Sequence, residues 1–281
     1  MLKKTENKDK AKVMSDTAPA VEEVKKPTAK EEWSDMFKTA IIAVIIALII
    51  RTFIFEPFNI PSSSMRPTLL VGDYLFVSKY EYGYSRHSFP FGVGGFEGRI
   101  MSKMPERGDV IVFKLPSNTS VDYIKRVVAL PGDTVQVIGG RLYINDERVH
   151  REVVGIKDYM GDHGGTVKVQ HYIETLPGGV MHDIYEVGDS ERLDNTEKYR
   201  VPKGHVFAMG DNRDNSMDSR VIDHVGYIPV ENIVGRAERL FFSTNGKARI
   251  FEIWKWPVSI RYNRLFDSVG PVRPAADNKG A

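Results

Sequence analysis

Thr39-Ala40-Ile41-Ile42-Ala43-Val44-Ile45-Ile46-Ala47-Leu48-Ile49-Ile50 is the one strongly apolar run in this chain of 281 residues, and everything after it is built differently. The run alone is short of the ~20 residues a spanning helix needs. Extended from Met36 to Phe55 it reaches that length, provided Lys38 and Arg51 snorkel toward headgroups. Phe53, Phe55 and Pro57 follow it in place of a small-x-small cleavage site, so it reads as a retained anchor over 39–55 and not as a removed leader. Lys25, Lys26, Lys30 and Lys38 precede the run, whereas Arg51 and Arg66 are the nearest basic residues after it. That asymmetry predicts a cytoplasmic N-terminus and a single pass, with the remainder on the outer face.

Outward from the anchor, residues 1–38 are polar and carry few large apolar side chains, which predicts a disordered tail. A net charge of +2 gives no footprint for nucleic acid, so no nucleic-acid partner is expected. The absence of cysteine removes disulfides, thiolate metal sites and a cysteine nucleophile.

Beyond the anchor the fold class is mainly β. Short alternating segments are punctuated by turn residues: Val110 to Lys114 after Arg107-Gly108-Asp109, a strand closing at Leu130-Pro131-Gly132-Asp133, and Val135 to Ile138 facing Arg141 to Ile144 across Gly139-Gly140. The last is a hairpin signature, because both glycines tolerate positive φ. Residues 56–144 and 201–265 are expected to form one β-sheet domain, partly closed or sandwiched. Residues 145–200, polar and without motifs, are read as an inserted smaller β domain. The stretch 83–104, with Phe89-Pro90-Phe91-Gly92, reads as a flexible surface loop or an extended hairpin, and 266–281 as a C-terminal tail.

Three segments carry chemistry. Pro61-Ser62-Ser63-Ser64-Met65-Arg66-Pro67-Thr68 places three hydroxyls a few residues past the anchor. Asp122-Tyr123-Ile124-Lys125-Arg126-Val127-Val128 puts a lysine in an apolar strand, where alternation gives Tyr123, Lys125 and Val127 one face and Ile124, Arg126 and Val128 the other. Arg126 is thereby free to face elsewhere and stay charged. Gly210-Asp211-Asn212-Arg213-Asp214-Asn215-Ser216-Met217-Asp218-Ser219-Arg220 is a polar loop.

A serine hydroxyl becomes a nucleophile when a base removes its proton, and a neutral lysine can be that base. Burial is the means of making it neutral. Taken singly, each feature has a plainer reading: a serine turn bonding its own backbone, a snorkelling strand lysine, a solvated charge cluster. A calcium loop fails, since Met217 stands where glycine is required and Asp223 where a glutamate closes the site. His150, His163, His171 and His182 have no ligand spacing and are read as surface residues. His224 beside Asp223 has no GxSxG elbow to serve as a triad.

In that order the three segments resemble the bacterial type I signal peptidases, membrane-anchored serine-lysine endopeptidases. The resemblance implies that Ser64, directly before Met65 and three residues before Pro67, is the nucleophile and Lys125 the base. It implies an oxyanion hole from the Ser64 N–H and the Ser62 hydroxyl. Ser216 would bond and orient the lysine amine, and an Asp218–Arg220 pair would hold the loop beside it. Phe58, Ile60, Pro61, Met65, Leu69, Tyr123 and Ile124 would shape two shallow apolar pockets for small side chains. The implied substrates are the signal peptides of exported preproteins, cut after Ala-x-Ala by a monomer in the bacterial inner membrane, with no metal or organic cofactor. Trp254-Lys255-Trp256-Pro257 would seat the domain on lipid, or be a packed core pair. Two other readings are a self-cleaving repressor-type serine-lysine protease, which the charged tail and anchor disfavour, and a membrane-tethered β domain that binds peptides without cutting them.

Overall fold

β-Branched and aromatic residues fill the segments between turns, and each finds its antiparallel partner across a sheet. The computed structural model describes residues 29–89, 97–246 and 252–273. Most of the expected tail before residue 39, the Phe91-Gly92 part of the loop 83–104, and residues 274–281 of the expected C-terminal tail lie outside the described residues.

A helix, Ala29–Phe53, contains the apolar run, and its stretch Glu32–Phe53 holds an 18-residue window with a mean hydropathy of 2.1 and has the length to cross a bilayer. It starts ten residues ahead of Thr39, inside the segment expected to be a disordered tail. An i,i+3 ion pair between Lys38 and Asp35 favours the added turns.

Beyond the helix, the described residues of the unit from Ala47 to Ala281 are mainly β, with short helical turns such as Trp256–Ser259. Its main sheet has seven antiparallel strands in the order Phe55–Asn59, Asp73–Ser78, Ile233–Ser243, Val110–Leu115, Asn118–Ala129, His205–Met209, Ile228–Pro229. Asn118–Ala129 is paired on one edge by Val110–Leu115 and on the other, from Arg126 to Ala129 only, by His205–Met209, and its second half, Ile124 to Ala129, is buried. A second sheet joins Tyr199–Arg200, Thr134–Ile138, Arg141–Ile144 and Glu147–Arg148. Its central hairpin turns at Gly139 (φ 52°) and Gly140 (φ 69°), as the glycine pair predicts. Between Glu147–Arg148 and Tyr199–Arg200 the chain makes a sheet of its own from His150–Met160, Thr166–Leu176 and Val180–Glu186.

Alternation around Lys125 holds for the residues that matter. Ile124 packs with Ile60, Met65, Leu69, Val110 and Val112, while Tyr123 and Val127 belong to a separate cluster with Phe113, Val206, Ala208 and Ile228. Val128 and Ala129 both enter a third cluster, where the pairing slips between Phe207 and Ala208.

Candidate active site

The serine turn is held from beneath. Met65 and Leu69 lie four residues apart with Leu69 N–H bonded to Met65 O (2.9 Å), so both side chains point the same way and both are wholly buried. Each contributes about 1.5–3 kcal/mol of apolar burial. Ser64, between Ser63 and this anchored pair, thus cannot drift from the sheet.

Lys125 reaches that turn from the neighbouring strand. Its Nζ lies 2.7 Å from Ser64 Oγ and 2.8 Å from the Ile124 carbonyl, and the residue is only 3% exposed. The Tyr123 ring stands 5.3 Å from the amine. Burial pushes the Lys125 pKa from 10.5 down to about 8, against the opposing pull of the Asp218 and Asp211 carboxylates, and Arg220 adds to the lowering.

The loop 210–220 follows directly from the strand His205–Met209, which pairs with the strand of Lys125, and topology alone therefore brings it alongside. Asn212 N–H donates to Ser64 O at 3.0 Å. Asp218 and Arg220 form a wholly buried bidentate pair at 2.8 and 2.9 Å, and Asp218 also accepts the Gly210 N–H. Burial pushes the Asp218 carboxyl up, but Arg220, the Gly210 N–H and the Ser216 hydroxyl outweigh it and leave its pKa lowered. Ser216 Oγ is buried and does not bond Lys125; its polar influence falls on Asp218 instead, so the orienting bond expected of it is not formed here. A Cβ added at Gly210 would stand 2.3 Å from Ser216 Oγ and 2.6 Å from Ser64 O, so the loop approaches the serine turn this closely only with glycine there. Gly210→Ala should accordingly lower turnover about 100-fold by displacing the turn, with a stability loss of about 1–3 kcal/mol, measured by cleavage kinetics and thermal unfolding.

Arg126 turns away from Lys125, as alternation predicts, and is buried to 1% exposure: its guanidinium forms a bidentate pair with Asp211 at 2.7 and 2.8 Å and donates to Gly108 O. Burial pushes the Asp211 carboxyl up, yet Arg126 and His182 hold it well below the usual carboxylate range. His182, expected at the surface, is buried between Glu174 (3.2 Å) and Asp211 (3.5 Å). The alternation of Val180–Glu186 turns it inward, where two carboxylates make an imidazole welcome. His224, outside any triad, meets the Tyr123 hydroxyl at 3.0 Å.

Of the expected pocket residues, Phe58, Ile60, Met65, Leu69 and Ile124 come together in one apolar cluster. Pro61 is exposed, and Tyr123 sits in the cluster on the other face of its strand. Ser62 Oγ lies 3.4 Å from Ser64 Oγ. Sequence reasoning did not single out Asn212, Asn215, Tyr159 or Asp162, all of which grip the serine turn: Asn212 Nδ2 donates to Ser63 O and Tyr159 Oη, Asn215 Nδ2 to Ser63 Oγ, and Asp162 accepts from Ser63. The asparagines lay in a motif already marked; the hairpin residues carried no signal.

The model of a family described as signal peptidase, peptidase S26, matches residues 33–242. The chain is 41% identical over 256 residues to a signal peptidase I of Rickettsia conorii (strain ATCC VR-613 / Malish 7), covering 85% of this chain and 92% of the relative. A signal peptidase I of Rickettsia typhi (strain ATCC VR-144 / Wilmington) is 39% identical over 259 residues, covering 86% and 94%. A crystal structure of a signal peptidase I from Enterococcus faecalis V583 aligns at 27% identity and a TM-score of 0.29, over 48% of this chain and 97% of that one. With its family match extending from the apolar helix through the serine turn and Lys125 to the last strand of the main sheet, the chain belongs to the signal peptidase family, peptidase S26.

Proposed function

We infer that Ser64 is the nucleophile and Lys125 the general base of this membrane-anchored signal peptidase. The 2.7 Å contact between a buried amine and a serine hydroxyl is the observation that carries the assignment. With Lys125 neutral, Ser64 Oγ–H donates to Nζ, and as Oγ attacks the scissile carbonyl carbon its proton passes to the amine. The carbonyl oxygen becomes an oxyanion facing the Ser64 N–H and the Ser62 hydroxyl. The Lys125 ammonium then gives its proton to the departing amine, leaving an acyl-serine. Water, deprotonated by the same lysine, attacks that ester and releases the second product.

The substrates are exported preproteins bearing signal peptides. A groove of about 790 Å³ is lined by Phe58, Val77, Val112 and Val234 with Lys114 and Asp122 at its side; Ser64 and Lys125 are not among its lining residues. An extended peptide beside the strand of Lys125, which His205–Met209 pairs only from Arg126 onward, would add to the sheet by main-chain bonds. The apolar cluster of Phe58, Ile60, Met65, Leu69 and Ile124 near the turn favours small side chains such as alanine beside the cut, because enlarging a packed site costs more than a methylene gains. Ile253, Trp254, Val258, Tyr262 and Phe266 are exposed apolar groups suited to seating the domain on lipid as a monomer, whereas Trp256 packs on Phe242. The lysine asymmetry of the sequence puts that domain on the outer face of the bacterial inner membrane.

The test is cleavage of a preprotein with an Ala-x-Ala site in detergent by the intact chain and by Ser64→Ala and Lys125→Ala variants. Activity surviving in either variant would overturn the assignment. The dyad also predicts a pH profile: turnover should fall about tenfold per pH unit below the Lys125 pKa of about 8 and level off above it. A rate unchanged between pH 5.5 and 8 would exclude Lys125 as the base.

A further inference from the structure

We propose that Asp162, at the tip of the hairpin between His150–Met160 and Thr166–Leu176, is a positioning residue that aligns the oxyanion hole of Ser62 and Ser64 by gripping Ser63. This rests on the reading of Ser64 as nucleophile.

The grip is made on every polar atom of Ser63, a residue with no exposed surface. Asp162 Oδ2 accepts the Ser63 N–H at 3.2 Å and the Ser63 hydroxyl at 2.8 Å, across 99 residues of sequence. The hydroxyl oxygen in turn accepts from Asn215 Nδ2 at 2.5 Å. Ser63 O accepts from Asn212 Nδ2 and from the Arg66 N–H, both at 3.1 Å.

Peptide planarity turns these bonds into aim. Ser63 C=O and Ser64 N–H belong to one trans peptide and point in opposite directions. Holding the carbonyl on Asn212 and Arg66 N therefore directs the Ser64 N–H to the other side, and among the described residues that N–H has no acceptor. The peptide before it, Ser62–Ser63, is held by Asp162 through its N–H, which sets the backbone from which the Ser62 hydroxyl projects. Two successive peptides are thus fixed, one by the polar loop and one by the hairpin. Both bonds converge on one carboxylate oxygen of Asp162.

The hairpin is held in place to do this. Tyr159 is buried, its hydroxyl accepts from Asn212 Nδ2 at 2.8 Å, and the Arg66 guanidinium lies 4.8 Å over its ring. Asp162 itself is exposed, so truncating it opens no core.

The experiment is steady-state cleavage by Asp162→Ala, Asp162→Asn, Ser63→Ala and the double variant Asp162→Ala/Ser63→Ala, with binding of a peptide boronate ending in alanine and thermal unfolding as companions. Asp162→Ala should lower kcat about tenfold with KM within about twofold, because the loss falls on the transition state. Boronate affinity should fall in parallel, the thermal midpoint should hold, and Asp162→Asn, which keeps an acceptor oxygen, should recover most of the rate. In the Ser63→Ala background the added loss from Asp162→Ala should be smaller than in the parent. A kcat within twofold of the parent in Asp162→Ala would overturn the proposal. So would a loss carried by KM, or one matched in Asp162→Asn and tracking a lowered thermal midpoint. Ser64→Ala run alongside separates the two readings: activity surviving there sinks the nucleophile assignment, whatever Asp162 does.

Discussion

Methionine in place of Lys125 should leave a folded protein whose cleavage rate is lower by ~10⁴-fold or more, the scale seen when one member of a nucleophile-base unit is removed. The same variant should be more stable than its parent at neutral pH. Below about pH 8 the folded protein must bury an ammonium whose pKa has been pushed from 10.5 to about 8, a cost of about 3 kcal/mol relative to an unperturbed lysine. Methionine fills similar space without that cost. The sign follows from proton counting: between pH 8 and 10.5 the unfolded chain holds a proton on Lys125 that the folded chain has released, so the parent gains stability as pH rises through that window. The penalty is fully present below pH 8 and gone above 10.5. Thermal unfolding across pH 7 to 10 checks this, since the methionine variant should lack that part of the slope. An inactive variant that is also less stable at pH 7 would mean that the lysine is structural.

Arg220→Met should be the most disruptive single change in the polar loop. It strips the partner from a wholly buried Asp218 carboxylate, and uncompensated buried charges cost about 3–5 kcal/mol, a large share of the 5–15 kcal/mol that stabilises an ordinary domain. It also frees the Arg213 carbonyl, to which Arg220 Nη2 donates. Activity should change in a diagnostic direction. Arg220 helps to lower the Lys125 pKa while Asp218 raises it, so removing the arginine moves the rate profile to higher pH. The double variant Asp218→Asn/Arg220→Met should recover most of the stability, because no charge is then left unpaired. Chemical denaturation with pH-rate profiles of the three variants decides the matter; a single variant as stable as the double would contradict the buried-pair account.

Local chemistry explains why so much was legible beforehand. The apolar run, the glycine pair at 139–140 and the alternation around Lys125 each depend on neighbours a few residues away, and the structure has a helix, a tight hairpin and a buried strand lysine at those places. Readings that needed distant partners fared less well. Sequence spacing puts His182 at the surface, because nothing near it in the chain announces Glu174 and Asp211. Arg126 faces away from Lys125 as alternation predicts, but the partner that receives it, Asp211, is 85 residues away and has no local signal. Ser216 carried an orienting bond by resemblance alone, and its hydroxyl influences Asp218 instead. The helix starts ahead of the apolar run, in turns where an i,i+3 ion pair between Asp35 and Lys38, not hydropathy, gives local support.

The amino-acid sequence by itself determined that this chain carries a membrane-length helix and a β remainder, and that a serine turn, a strand lysine and a polar loop are its chemical equipment. Those follow from periodicity and residue type, which act over a turn of helix or a pleat of strand. Tertiary structure alone decided that the three segments meet, that Lys125 loses enough water for its pKa to fall to about 8, and that a hairpin tip 99 residues away holds Ser63. Desolvation and hydrogen bonding across a sheet depend on what packs alongside, and strand order, not sequence spacing, fixes those neighbours.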